Sequence, residues 1–322
     1  MIKKIAILTS GGDAPGMNNA IRAIVKTAKI NNVEPFLVYE GYSGLYKGDI
    51  ISASDVNVDQ YISKGGTFIY SARFPKFLEP KIREVAKNNL KKMGIDALVV
   101  IGGDGSYRGA QRLHELGVKT IALPGTIDND ITSSDFTIGY NTALNTVVEN
   151  VEKIRDTMNS HGRAAIIEVM GHGCGDLALY GGIATGVEII VTNEVQMSIE
   201  KVAQKVKEQK ENGKRSVIVL ISEFIFEDIH EAAKTISEIS GVATRGISFA
   251  HIQRGGIPSA QEKILATRMG IKSVELLLEN KSGFAVGEIS GSMKAIPIMD
   301  ALKISRRKRV ELTNKINKIN QA

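Results

Sequence analysis

The chain has 322 residues, 43% of them hydrophobic, with 32 glycines, a single cysteine and a formal net charge of +6. That length corresponds to about two domains, and the apolar content can fill sizeable cores, which excludes disorder over most of the chain. The glycines follow no G-x-y period, Cys174 alone excludes an internal disulfide framework, and no apolar stretch approaches the ~20 residues of a membrane helix.

Met1-Ile-Lys-Lys runs straight into a strand pattern with no signal-peptide core, so a reducing cytoplasm is the expected location. Lys4-Ile-Ala-Ile-Leu-Thr9 predicts a buried strand that empties into Ser10-Gly-Gly-Asp-Ala-Pro-Gly16, followed by a helix with Ile21, Val25 and Ala28 on one face. Ile82, Val85, Ala86, Leu90 and Met93 form a helical stripe closed by Gly94. Asp96-Ala-Leu-Val-Val-Ile101 reads as a buried strand ending in Gly102-Gly-Asp-Gly-Ser106. Thr120 to Leu123 predicts the next strand, and Leu123-Pro-Gly-Thr-Ile-Asp-Asn-Asp130 a tight turn at its carboxyl end. A helix is expected from about Asn141 to Met158, with Ala143, Val147, Val151 and Ile154 turned inward. Strands follow at 164–169, 188–191, 216–221 and 246–251, with helices at 198–210 and 229–239 between them. The second helix opens with Asp228 and Glu231 in capping-box spacing and closes at Gly241. This alternation predicts an α/β protein of mainly parallel sheets, in two lobes that meet at a cleft and divide near residues 137–141.

Three strands end in glycine clusters, at Gly11-Gly12, Gly102-Gly103-Asp104-Gly105 and Gly125. Each frees backbone N–H groups to face an anion, and three converging on one sheet edge point to a polyphosphate. Gly11 to Gly16 has P-loop glycine spacing, but Met17-Asn18 stands where Lys-Ser/Thr is needed, and no strand precedes G-x-G-x-x-G. Asp104 suits a Mg²⁺ that keeps waters and phosphate oxygens as its other ligands. Asp128 is a candidate base for an alcohol attacking a γ-phosphate. Arg73, Arg163, Arg245 and Arg254 are candidate cations for the transferring group, and His251 stands beside the last of them. No zinc-ligand spacing is present. The basic run Arg306-Arg-Lys-Arg309 suits either an anionic partner or a solubilising amphipathic end.

Thr9–Asn18, Gly65–Phe68, Ser71–Pro75, Gly102–Ser106, Pro124–Asp130, Glu168–Gly171 and His251–Gly256 stand in one order and spacing. Over residues 1 to about 300 the chain thereby resembles bacterial ATP-dependent 6-phosphofructokinases. The resemblance implies two Rossmann-like α/β lobes, with 1–138 plus 251–301 as the larger, ATP-binding lobe and 139–250 plus 302–322 as the smaller, sugar-phosphate lobe. It implies Asp128 as the base for the 1-hydroxyl of fructose 6-phosphate, with Thr126, Asp130 and Arg73 at the transfer site and Asp104 on Mg²⁺. Gly12, Tyr42, Arg73, Phe74, Gly103, Gly105 and Ser106 would surround ATP. Met170, Gly171, His172, Glu223, His251 and Arg254 would meet the sugar phosphate, joined by Arg163 and Arg245 from a neighbouring subunit of a homotetramer. No nucleic-acid or membrane partner is expected.

Pyrophosphate-using relatives tend to carry Asp where Gly105 stands and Lys where Gly125 stands, so two glycines that leave this space open favour ATP. His172 replaces a usual arginine and is only partly protonated near neutral pH. The effector site for ADP or phosphoenolpyruvate would draw on Arg22, Lys26, Arg155, Glu188, Lys214 and Arg215. Lys26 and Asp55 stand where arginines are usual, and Asn212 lacks a usual cation, so weak or altered allostery is expected. Two other readings remain: a different Gly-Gly-Asp-Gly kinase, such as an NAD or lipid kinase, and a nucleotide-sensing or nucleic-acid-binding protein. The first leaves Pro124–Asp130 and His251–Gly256 without a role, and the second has no use for a base.

Overall fold

The computed structural model describes residues 2–305 and 308–321, so Arg306 and Arg307 of the basic run lie outside the described residues. In chain order the elements are β1 (Lys4–Ser10), α1 (Met17–Ile30), β2 (Glu34–Val38), α2 (Gly41–Lys47), β3 (Ile50–Ser52), α3 (Pro80–Lys92), β4 (Ala97–Gly102), α4 (Asp104–Glu115), β5 (Lys119–Thr126) and β6 (Ile138–Gly139). Then come α5 (Tyr140–His161), β7 (Ala164–Val169), α6 (Asp176–Thr185), β8 (Ile189–Val191), α7 (Ile199–Glu211), β9 (Val217–Ser222), α8 (Ile229–Ser240) and β10 (Thr244–Ser248). The chain ends with α9 (Ala260–Leu278), β11 (Phe284–Ile289), β12 (Ser292–Pro297), α10 (Ile298–Ala301) and α11 (Val310–Asn320). The architecture is α/β with mostly parallel sheets, as the alternating pattern predicts. No helix of the described residues is long and apolar enough to cross a membrane.

The chain divides into two compact units. The first holds residues up to Ile127, Ile131–Thr142 and Arg254–Arg306. Its sheet runs β12-β11-β5-β4-β1-β2-β3, with β6 paired to the end of β5. The β1, β4 and β5 strands are parallel neighbours, and every residue of β4 is buried, which is why these segments read as unbroken apolar runs rather than alternating ones. In α3 the stripe buries Ala86 and Leu90, but Val85 lies outside it, 41% exposed.

The β5 strand is longer than its apolar run and continues through Pro124 and Gly125 to Thr126. Proline is tolerated because Pro124 falls between two pairings on the same flank: β11 pairs Ile121 and Ala122, and β6 pairs Gly125 and Thr126. The turn carrying the aspartates therefore begins at Ile127, not Leu123.

The second unit holds Asp128–Asp130, Ala143–Gln253 and the segment from Arg307 onward. Its parallel sheet runs β10-β7-β9-β8. Asp228 caps α8 by accepting from the His230 and Glu231 amides, and Gly241 closes it in the left-handed conformation. The expected strand through His251 stops at Ser248, because Ala250 turns the chain at φ 39° into a short 3₁₀ turn.

The carboxyl-terminal helix is not merely a solubilising end. The β8 strand is the sheet edge, and Asn317 of α11 fills it: Oδ1 accepts from the Ile190 amide and Nδ2 donates to the Ile190 carbonyl, both at 2.8 Å. Asn320 Nδ2 adds a bond to the Val187 carbonyl. Asn317→Ala leaves two covered backbone groups unpaired and is expected to cost about 2–4 kcal/mol in urea unfolding. Asn314→Ala, on the exposed face of α11, should unfold at the wild-type midpoint; equal losses from both would remove this account.

Candidate active site

In the first unit the register aligns Ser10 with Gly102 and Gly102 with Pro124, so the turns after β1, β4 and β5 stand side by side at one sheet edge. Side chains fix them from behind. Ser106 Oγ donates to the Ser10 carbonyl at 3.1 Å and Ser71 Oγ to the Gly11 carbonyl at 2.7 Å. Asn18 Nδ2 donates to the Lys64 and Gly65 carbonyls while its Oδ1 accepts from the Phe68 amide, which pins the Gly65–Phe68 segment. Asn18, which enters the sequence reading only as part of the Thr9–Asn18 motif, is buried in the first turn of α1.

Asp104 is the first residue of α4, exposed, behind an extended Gly103. The amides that open a helix have no intrahelical partner, so this end suits an anion. A Cβ at Gly103 or Gly105 would meet nothing within 4 Å. Gly125 differs. A Cβ there would come within 2.8 Å of Met17 Cε and 3.0 Å of Ile101 Cγ2. Its glycine reflects close packing of β5, not open space, so the expectation of an open site holds at Gly105 alone.

Tyr42 is fixed by its neighbours. It is 4% exposed, stacks on Phe77 with ring centroids 4.1 Å apart, and donates its hydroxyl to the Ser106 carbonyl at 2.7 Å. Burial raises its phenol well above the ordinary range, so it stays neutral, and its hydroxyl buttresses the first turn of α4. Phe74 is half-buried, and Arg73 beside it is exposed. Arg254 donates to the Asp13 carbonyl at 3.2 Å, and its guanidinium occupies the space a side chain at Gly12 would need.

Thr126 ends β5, with its carbonyl accepting from Thr137 Oγ1 at 2.7 Å. In the second unit Asp128 is 8% exposed, and Asn129 between the two aspartates is left-handed at φ 52°. The loop after β7 is held by two side chains. Glu223 Oε1 accepts from the Gly171 and His172 amides at 3.1 and 2.7 Å, and Gln253 Oε1 from the Met170 amide at 3.2 Å. A Cβ at Gly171, whose φ is 152°, would collide with the Cys174 carbonyl, whereas His172 is exposed in a left-handed conformation at φ 47°. Glu168, which accepts from Ser248 Oγ, has its carboxyl pushed up by burial.

Met170, Gly171, His172 and Glu223 thus gather at the carboxyl edge of this sheet, and His251 is exposed in the turn beyond β10. Arg163 and Arg245 are not among them. Arg163 precedes β7 and Arg245 pairs with Ala165, so both lie at the amino edge, about 20 Å along the strand from Met170.

The expected effector residues divide the same way. Arg155 lies 3.5 Å from Glu188, whose other oxygen accepts from the Ile218 amide, and Arg215 donates to the Asn159 and Ser160 carbonyls. Lys214 is exposed beside it. In the first unit Asp59 bridges Arg22 and Lys26, each at 2.6 Å, and these two cations hold its carboxyl below the ordinary range. Asp59, which the sequence reading does not name, thus pairs with two of the cations expected to receive an anion.

The phosphofructokinase family model matches residues 4–277. The chain is 59% identical to an ATP-dependent 6-phosphofructokinase of Mycoplasmopsis pulmonis and 59% identical to one of Mycoplasma mobile, covering 100% of both chains in each case. Its fold is similar to a phosphofructokinase structure from Saccharomyces cerevisiae, with a TM-score of 0.87 at 34% identity over 99% of this chain and 48% of that one. With glycine turns aligned on three parallel strands and a match over most of its length, the chain belongs to the phosphofructokinase family.

Proposed function

We propose that the protein transfers the γ-phosphoryl group of ATP to the 1-hydroxyl of fructose 6-phosphate, giving fructose 1,6-bisphosphate and ADP. The observation that carries this reading is the alignment of three glycine turns at the carboxyl ends of β1, β4 and β5, next to the amino end of α4. Asp128 takes the hydroxyl proton, while Thr126 and Asp130 shape the transfer site. Arg73 faces the nucleotide phosphates, and the loop braced by Glu223 receives the sugar phosphate.

No three His, Cys, Asp or Glu side chains among the described residues converge to hold an ion. That suits a Mg²⁺ bound through the Asp104 carboxylate, with nucleotide oxygens and waters as its other ligands. When bound, the ion neutralises charge on the phosphates. Arg163 and Arg245 complete a neighbouring subunit's site in a homotetramer, consistent with their place at the far edge of their own sheet. Asp59, seated on Arg22 and Lys26, supports weak or altered control by phosphorylated effectors. A cytoplasmic location belongs to this same reading.

A coupled assay with fructose 6-phosphate tests the reading. MgATP should support turnover and Mg-pyrophosphate should not. Product from pyrophosphate would overturn the donor, and no ADP from ATP would overturn the reaction.

A further inference from the structure

The turn that carries Asp128 and Asp130 depends on Asn129, a non-glycine residue in the left-handed region. Asparagine tolerates that conformation better than most residues, but something must hold it there. Both ends of Asn129 are anchored to one short segment of the second unit. Its Nδ2 donates to Asp176 Oδ2 at 2.9 Å, and its carbonyl faces Cys174 Sγ at 3.9 Å. Asp176 is buried at the first position of α6, where the helix dipole favours a carboxylate.

The other side of Asp176 meets the basic tail, which the proposed reaction leaves unused. Arg309 Nε lies 3.8 Å from Asp176 Oδ1, and the guanidinium stands over the ring of Tyr180, one turn further along α6, at 5.8 Å. Asp176 thus sits between an arginine of the carboxyl-terminal segment and the amide of Asn129. Asp130 and Glu194 are the other acids near this segment, and Glu194 is engaged by the Gly175 amide.

We infer that Asp176 is a positioning residue for phosphoryl transfer, fixing Asn129 and so the flanking Asp128 and Asp130, and that Arg309 anchors it from the opposite side. The inference rests on the proposed reaction only for what the turn does, not for how it is held. It assigns the tail segment a part in the placement of the catalytic turn.

Two readouts test it in the full-length protein. The first is the split between kcat and KM in the coupled assay. Asp176→Ala should lower kcat about 30- to 100-fold with the KM for ATP within about twofold, because a base displaced by about 1 Å loses its alignment. Asp176→Asn, which can still accept from Asn129, should recover most of the loss. The double variant Asn129→Ala/Asp176→Ala should be no worse than about threefold below the poorer single variant, since the two act as one unit. Arg309→Met should lower kcat by less, about three- to tenfold, and Arg309→Lys should restore it.

The second readout needs no turnover. Cys174 is the only cysteine, buried, with its thiol pushed up to about 12 by burial. Asp176→Ala should speed its reaction with an aromatic disulfide reagent about tenfold or more by freeing the turn that covers it. A wild type without activity but with this acceleration in the variant would remove the proposed reaction and keep the inferred way in which the turn is held. Unchanged kcat and unchanged thiol reactivity in Asp176→Ala would remove the inference, as would additive losses in the double variant. If Asp176→Ala does not fold, Asn129→Ala carries both readouts alone, and wild-type values in it are equally fatal.

Discussion

Asp128→Asn is expected to lower kcat by about 10²- to 10⁴-fold while leaving the KM for ATP and fructose 6-phosphate within about threefold. The attacking hydroxyl must lose its proton as the bond to phosphorus forms, and the amide cannot take it. Asparagine has the shape of aspartate, so the packing around a side chain only 8% exposed is kept and unfolding is not the cause of the loss. Burial also limits bulk water as a substitute base. The loss should appear in kcat and kcat/KM together, the signature of an interaction made in the transition state. A rate within tenfold of wild type would remove Asp128 from the role of base.

Glu262→Gln should change the pH dependence of stability by roughly 3 kcal/mol between pH 5 and 8. Glu262 is fully buried at the amino end of α9, and Thr142 donates to its Oε2 through both its amide and its hydroxyl, at 3.1 and 3.2 Å. Burial dominates and raises its carboxyl from the ordinary 4.5 to about 7, although the amides of Gly139, Thr142 and Asn141 act against it. The folded state therefore holds the proton more tightly than the unfolded chain. Its contribution is complete below about pH 4.5 and declines as pH rises through 7. Glutamine keeps an acceptor for Thr142 and has no charge to bury. The variant should gain on wild type as pH rises, most of all at pH 8. A difference in melting temperature that is the same at pH 5 and pH 8 would show that Glu262 does not titrate in this range.

Local pattern made much of the fold legible. The runs at Ile5–Leu8, Leu98–Ile101 and Ile218–Ile221 are buried on both faces of parallel sheets, and such strands need no partner to be recognised. The caps of α8 were equally readable, because Asp228 and Gly241 act within a turn of themselves. Two of the elements that escaped, α6 and β12, lacked a period. In α6 the residues Leu177, Ala178, Leu179, Gly181 and Gly182 are all buried, so no polar stripe marks the helix. The β12 strand is an edge with little burial, and its alternation is correspondingly weak.

The site was legible to a similar degree. The strand-end positions of Asp104, Asp128 and the glycine turns could be read because strand, glycine and carboxylate are consecutive in the chain. The surroundings of Tyr42 and Gly125 were not legible, because they are set by residues far away in sequence: Phe77 and Ser106 for the first, Met17 and Ile101 for the second. The partners of Asn18, Asp59, Asp176 and Glu262 could not be read locally, since each side chain acts on a group distant in sequence.

By itself the sequence determined the α/β class, the order of its phosphate-suited turns and the chemical groups those turns carry. These depend on residues within a few positions of one another. Only the tertiary structure decided that β1, β4 and β5 are neighbours, that Arg163 and Arg245 lie at the opposite edge of their sheet from Met170, and that Asp176 holds Asn129 across 47 residues. Those outcomes follow from which strands pair and which buried polar groups must satisfy one another. That competition is settled by the whole fold, and no short segment records it.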